Sequence, residues 1–342
     1  MIADSQLFKN RKALGITSGG LDSILSALVL RDQGIDITWI SFETPFFSSK
    51  TAQKSAKALN IPIIIKDITE DYLPLLYLPR ACFGKNMNPC MDCHSLMFKL
   101  AGQEMEKQGA DFLFSGEVAG QRPKSQTINS MRYVEKNSGF QGLILRPLSA
   151  KLLQETIPEK NGWVDRSALL DISGRSRKIQ MSLAKKYGIE EYPAPAGGCL
   201  LTDSGFSRRL QDIISAQDDF DIRDLHLLKY GRHFRVDKYY KIIVGRSKQD
   251  NDNILKYYKK DKDILINPAS IPGPVVLIRS DNKKGYTKSI EQTGGQLCAS
   301  YTKAKPDELV DIQIIYPDKY SNAERTFQAK VYNCSDFKRF MV

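Results

Sequence analysis

Ser18-Gly19-Gly20-Leu21-Asp22-Ser23 is the stretch whose reading decides the fold. Ahead of it, Ala13-Leu14-Gly15-Ile16-Thr17 is an apolar run that reads as a buried strand, and behind it Ile24 to Leu30 supplies the apolar side of a helix. A strand, a glycine turn rich in hydroxyls and a helix start together make a cradle for phosphate or pyrophosphate. Paired glycines let several backbone N–H groups turn toward one cluster of oxygens, and the helix N-terminus adds its partial positive charge at the same spot. Ser18 and Ser23 carry hydroxyl donors, and Asp22 can hold a magnesium ion. The plainer alternative is a serine-capped helix after a glycine turn. A Walker A loop is excluded because no Gly-Lys-Ser/Thr follows, and a dinucleotide fingerprint because the G-x-G-x-x-G spacing is absent.

Outward from this turn, strand and helix signals alternate. Residues 35–42 predict a second strand, 48–59 a helix, 61–65 a third strand, 95–107 a helix and 112–117 a further strand. Such alternation predicts an α/β fold, a parallel sheet with helices on both faces. Ligands of these sheets lie at the carboxyl ends of the strands, so the Ser18 turn and the segments after Phe42 and Phe114 should ring one crevice.

Composition narrows the class. The chain has 342 residues, enough for two or three domains with sizeable cores. No apolar run reaches the ~20 residues of a membrane span, and Met1 to Gln6 lacks the basic-then-apolar order of a signal peptide. The expectation is a cytoplasmic protein with no membrane partner. A formal charge of +11 points to an anionic macromolecule, nucleic acid first. We expect a catalytic domain over 1–150, a helical segment over 151–205 and a basic, smaller α+β domain over 206–342. In the last, basic and aromatic residues interleave from Lys229 to Arg246, again at Tyr257-Tyr258-Lys259-Lys260 and at Lys283 to Lys288. That pattern suits a surface that pairs with phosphates and stacks on bases; a half-exposed sheet with a solvated basic face would look the same.

Six cysteines in a chain this long do not make a disulfide scaffold. Cys90-Met91-Asp92-Cys93 is a C-x-x-C pair, expected just before a helix. Alone it can be half a zinc site, a redox dithiol or part of an iron–sulfur ligand set. No second C-x-x-C exists, and adjacent Cys93 and His94 could hardly share one zinc ion without strain. Cys199, after Gly197-Gly198 and a proline-rich turn, is the natural third thiol. Three thiolates would leave one iron of a [4Fe-4S] cluster open for sulfide. Cys82, Cys298 and Cys334 read as structural thiols.

Taken in order, the Ser18–Ser23 loop, Asn88-Pro89-Cys90-Met91-Asp92-Cys93, Ser115-Gly116 at a strand end and the late Cys199 resemble the PP-loop tRNA thiouridine synthetases, especially the 2-thiouridylase type. The match covers roughly residues 10 to 203. Gly116-Glu117 stands where that group commonly has Gly-His, and the surroundings of Cys199 also depart from the usual ones. Residues 240–246 and 272–279 resemble the NFACT RNA-binding domain instead of the usual 2-thiouridylase tail.

The resemblance implies a sulfurtransferase that adenylates a uracil carbonyl oxygen of tRNA, with ATP and Mg2+, and then replaces that oxygen by sulfur. It implies that Ser18, Gly19, Gly20, Asp22, Ser23, Phe42 and Gly116 line the nucleotide site. Asp22, Cys90 and Cys199 would be catalytic, and Cys90, Cys93 and Cys199 would hold a [4Fe-4S] cluster fed by sulfide or a cysteine desulfurase. Arg122, Lys124, Arg132, Arg146, Arg175, Arg177 and Lys178 are the candidates to steer RNA. Three alternatives stay open: the same reaction by a cysteine persulfide without a cluster, a PP-loop amide ligase, and a non-catalytic RNA-binding factor.

Overall fold

The computed structural model describes residues 11–193, 198–216, 220–280, 285–318 and 324–342. The chain divides into two compact units, Met1–Thr202 and Asp203–Val342, so residues 151–202 fall in the first.

The first unit runs β1 (Lys12–Ile16), α1 (Leu21–Arg31), β2 (Asp36–Glu43), α2 (Lys50–Leu59), β3 (Ile63–Asp67), and two short helices, α3 (Thr69–Tyr72) and α4 (Pro74–Tyr77). Then come α5 (Cys90–Gln108), β4 (Phe112–Ser115), α6 (Ile128–Ser138), β5 (Ile144–Leu145), α7 (Ile157–Lys160) and α8 (Lys178–Lys186). The strands form one parallel sheet in the order β3-β2-β1-β4-β5. Its strands are apolar on both faces, as a sheet covered on both sides requires. Ala13, Ile37, Trp39, Phe112 and Phe114 share one face and bury against Ile24 and Ala27 of α1 and Ala56 of α2. Leu14, Ile40 and Leu113 alternate to the other face and are equally buried.

The helix of the C-x-x-C pair differs from expectation. It begins at Cys90, with Pro89 as its cap, so both cysteines lie in its first turn. Proline lacks the N–H that a helix interior needs and so fixes the start there.

The second unit runs α9 (Ser204–Ala216), α10 (Ile222–Leu227), β6 (Arg232–Arg235), β7 (Tyr240–Val244), α11 (Lys248–Lys256), β8 (Ile264–Pro268) and β9 (Val276–Ser280). It closes with α12 (Lys288–Ser300), β10 (Leu309–Ile315) and β11 (Glu324–Lys330). The sheet is antiparallel, β11-β10-β8-β9-β7-β6. Tyr240, Ile242 and Val244 bury against α12. Ile243 alternates to the other side, against Leu227 of α10 and Ile254 of α11.

Here the sequence expectation of a basic, aromatic surface needs correction at Arg235 and Lys241. β7 is buried along its whole length. Lys241 Nζ lies 2.7 Å from Asp212 of α9, and Arg235 makes two 2.9 Å bonds to the same carboxylate. Burial pulls the Lys241 ammonium down to about 8, with Asp212 opposing. These cations are answered internally and do not face a partner. Lys283 and Lys284 lie outside the described residues.

Gly15 tests the core of the first unit. A Cβ there would lie 2.2 Å from the buried Phe114 ring. Gly15→Ala should lower the unfolding free energy by about 1–3 kcal/mol through overpacking, read as a lower urea midpoint at unchanged slope.

Candidate active site

The glycine turn after β1 leaves the N-terminus of α1 bare. Gly20 is the N-cap and supplies no side-chain cap, so the first N–H groups of α1 have no protein side chain over them. Gly19 holds the turn in shape. Its φ is +74°, its N–H donates to Thr17 Oγ1 at 2.9 Å, and its carbonyl accepts from Ser55 Oγ at 2.8 Å. A Cβ on Gly19 would sit 2.5 Å from the backbone of Thr51. Gly116, just past β4, is a second required glycine, since a Cβ there would be 2.5 Å from the Ser23 nitrogen. The end of β4 therefore presses on the first turn of α1.

Asp22 projects from that turn. Its Oδ2 accepts from Gln121 Nε2 at 3.1 Å, while its Oδ1 is buried and has no hydrogen-bond partner among the described residues. A buried carboxylate oxygen left open beside a bare helix N-terminus fits a hard cation such as Mg2+ bound with a polyphosphate. Ser18 is exposed and Ser23 buried in the same turn, and Phe42 is buried at the end of β2.

The thiols gather nearby. Cys90 Sγ accepts from Asn88 Nδ2 at 3.0 Å. Cys93 is buried and hydrogen-bonded to the Tyr72 hydroxyl. Cys199 is carried to this neighbourhood by Leu200, whose N–H donates to the Phe46 carbonyl just after β2 at 3.0 Å. Residues 194–197 of the preceding proline-rich turn lie outside the described residues. Burial pushes the Cys93 thiol up, and the charges of Cys199 and Cys90 add to this against the Tyr72 bond. The Cys199 thiol is pushed up to about 11 by burial and Cys90, with the Leu201 N–H and Arg122 opposing. Tyr72 is raised in turn, by burial first and then by Cys93, Cys199 and Cys90. Three soft donors thus converge on one tyrosine, a donor set whose chemistry suits iron–sulfur ligation. As placed, however, no three His, Cys, Asp or Glu side chains among the described residues are arranged to hold a metal ion. The thiols converge without forming a ligand shell.

A buried ionic network ties the two halves together. His94 follows Cys93, and its Nδ1 lies 2.8 Å from Glu117 Oε1. Glu117 Oε2 accepts from Arg146 Nε at 2.8 Å, and Arg146 Nη1 also bonds Glu135. Sequence reasoning missed this network; the one signal was a glutamate where the resembling group commonly carries histidine. It also corrects the expectation for Arg146. That residue is 2% exposed and held by two carboxylates, so it does not steer RNA. Of the other candidates, Arg122 and Lys124 are exposed on the loop after β4 and Arg132 is exposed on α6. Arg175 and Lys178 are exposed at the start of α8, where Arg177 is half-buried.

With this geometry in place, comparison with known proteins is informative. Residues 8–157 match the family described as thiamine biosynthesis protein (ThiI), and residues 231–341 match the NFACT protein RNA binding domain. The chain joins a ThiI-type PP-loop domain to an NFACT-type RNA-binding domain. Among full-length relatives, the tRNA-specific 2-thiouridylase MnmA of Listeria monocytogenes serotype 4b (strain CLIP80459) is 24% identical over 233 residues, 63% of this chain and 59% of that protein. MnmA 2 of Thermoanaerobacter sp. (strain X514) is 25% identical over 255 residues, 66% of this chain and 65% of that protein. The chain therefore spans about three-fifths of the length of these relatives. A 4-thiouridine synthetase solved with RNA and ATP is 19% identical, with 52% of this chain and 50% of that one covered at a TM-score of 0.33, too distant to carry weight. Among the described residues, no helix is long and apolar enough to cross a membrane.

The Glu117 network sets a pH dependence. Burial alone would raise the Glu117 carboxyl, but Arg146 and His94 override it and hold it down at about 2 against an ordinary 4.5. A carboxylate lowered by folding contributes stability that is complete above pH 4.5 and lost as pH falls through about 2. Glu117→Gln should abolish that component of acid unfolding. At pH 7 it should cost about 3–5 kcal/mol, because Arg146 is left partly uncompensated; urea titrations across the pH range read both effects.

Proposed function

We propose that this chain thiolates a uridine of tRNA at the expense of ATP. A uracil carbonyl oxygen attacks the α-phosphorus, the bond to the β-phosphate breaks, and pyrophosphate leaves. A sulfur nucleophile then adds to the activated ring carbon, the C–O bond breaks, and AMP departs. The observation that carries this reading is the 2.8 Å His94–Glu117 contact, which joins the thiol-bearing turn of α5 to the end of β4 pressed on α1. A phosphate cradle and a cluster of thiols share one carboxyl edge of the sheet, which is what adenylation followed by sulfur transfer needs. The 2-thiouridylase relatives and the ThiI and NFACT matches support the same reaction class.

In this reading Ser18, Gly19, Gly20 and Ser23 hold phosphates through N–H and hydroxyl donors. Gly116 and Phe42 shape the nucleotide side, and Asp22 holds Mg2+, which would neutralise charge on the pyrophosphate. Arg122 and Lys124, exposed beside this edge, would guide the RNA, with Arg175, Arg177 and Lys178 as further phosphate contacts. The target base has to leave its stack to enter.

For the sulfur carrier, the finer proposal is a [4Fe-4S] cluster on Cys90, Cys93 and Cys199, supported by their convergence as soft donors. A second form is favoured by their placement, which is not that of a metal site. Here a cysteine desulfurase loads Cys199 with a persulfide, whose outer sulfur bonds to the ring carbon as AMP leaves with the oxygen. The thiolate of Cys90 or Cys93 then attacks Cys199 Sγ, the S–S bond breaks to release the thiolated uridine, and the resulting disulfide is reduced by an external thiol. All six cysteines are free, which fits a reducing cytoplasmic setting.

Asp22→Ala should lower tRNA-dependent release of AMP and pyrophosphate by roughly 10²–10³-fold. Cys199→Ser should leave AMP formation and abolish thiolated uridine; AMP formation that ignores tRNA in the wild type would refute the reading. Iron and sulfide analysis of anaerobically purified protein decides the carrier. About four irons per chain, lost in Cys93→Ala, would establish the cluster, and none after reconstitution would leave the persulfide route.

A further inference from the structure

We propose that the second unit binds unpaired nucleotides of RNA by stacking them on the surface formed by Arg232, Tyr301, Lys330, Tyr332, Arg339 and Phe340. This rests on the reading that the chain acts on RNA, and it adds where and how the second unit makes contact. Within the interleaved stretch around β7, Arg235 and Lys241 cannot serve, since both are paired with Asp212.

The six residues come from four places that the C-terminal tail sews together. Val342 N–H donates to the His233 carbonyl at 3.0 Å, and Met341 bridges to Phe234, so the tail covers the free edge of β6. Tyr332 N–H donates to Ser300 Oγ at 2.8 Å, and Cys334 Sγ to the Ser300 carbonyl at 3.3 Å, which binds the same tail to the end of α12. Arg232 lies two residues before Phe234 on the α12 side of β6, and the Phe234 ring lies 6.3 Å from that of Tyr301. These contacts gather the four segments around the C-terminal end of α12.

There, cations already sit over rings. The Arg232 guanidinium is 4.6 Å from the Tyr301 ring centre, that of Arg339 is 4.7 Å from Phe340, and Lys330 Nζ is 5.7 Å from Tyr332. Each pair couples an aromatic ring to a positive charge, the combination that accepts a base and its phosphate. Lys330 also pairs with the exposed Asp307 at 2.8 Å. By contrast, no carboxylate among the described residues lies within ion-pair distance of Arg232 or Arg339. Tyr332 is 36% exposed, and Lys303 and Lys338 are exposed nearby. A duplex would be read through its backbone alone, whereas exposed rings gain only from splayed bases, so the occupant is single-stranded RNA. The other aromatic set of this unit is less suited. His226, Tyr257 and Tyr230 stack on one another at 5.1 and 6.3 Å and so cover their own faces.

The test is fluorescence anisotropy of the full-length chain with a labelled oligouridine of about ten nucleotides and with a tRNA transcript. Tyr332→Ala should weaken oligouridine binding by roughly tenfold, and Tyr332→Phe, which keeps the ring, should restore it. Arg232→Ala with Arg339→Ala should weaken it by at least about tenfold and reduce the slope of log affinity against log salt by about one to two. Lys256→Ala with Lys260→Ala, a charge-matched change on α11 and the loop after it, should leave affinity within about twofold. Wild-type binding undiminished in the Tyr332 and arginine variants would overturn this surface and leave the RNA reading standing. Equal weakening by the Lys256 and Lys260 changes would overturn it too, since net charge would then suffice. A wild type that binds neither RNA would overturn the underlying reading itself.

Discussion

The first unit depends on a close approach of three backbone segments at the N-terminus of α1. Gly19 lies against the start of α2, and Gly116 brings the end of β4 onto the Ser23 nitrogen. Neither approach survives a Cβ, and the N-cap between them, Gly20, supplies no side-chain cap to α1. The fold therefore keeps a set of unsatisfied N–H donors in place, beside a carboxylate oxygen of Asp22 that is buried and open. Burying such groups without partners costs free energy, so this corner is arranged for a ligand that brings both negative charge and a cation.

The same close approach positions the thiols. Because β4 ends at Gly116, the next residue, Glu117, falls where His94 of α5 can reach it. Arg146 and Glu135 then complete a buried chain of alternating charge. This chain of charges holds the first turn of α5, and with it Cys90 and Cys93, against the end of β4 that packs on the start of α1. Tyr72 and the return of the chain at Phe46 bring Cys199 to the same place. Burial holds the Cys93 and Cys199 thiols up, so lowering them calls for a change of charge or a bound partner beside them.

Much of this was legible in the amino-acid sequence because it is local. The β1–turn–α1 signature, the alternating strands and helices, and the Cys90–Cys93 pair all follow from short-range pattern. What was not legible depends on partners distant in the chain. Arg146 reads as a surface cation until Glu117 and Glu135 reach it from a strand end and from α6. Lys241 reads as an RNA contact until Asp212 of α9 covers it. Each misreading has one cause: a charge in sequence carries no mark of whether an opposite charge will be buried against it. The start of α5 was misplaced because the C-x-x-C pair was expected to precede the helix, whereas Pro89 caps it and puts both cysteines in its first turn.

Nucleoside mass spectrometry of a tRNA transcript, after incubation with the purified chain, ATP, magnesium and either sulfide or a cysteine desulfurase with cysteine, tests the central claim most directly. The structure predicts a thiolated uridine in the digest, formed with one AMP per sulfur and absent without ATP. Unmodified tRNA would contradict it, and adenylation of a small carboxylate with AMP released as an amine forms the amide would make the chain an amide ligase.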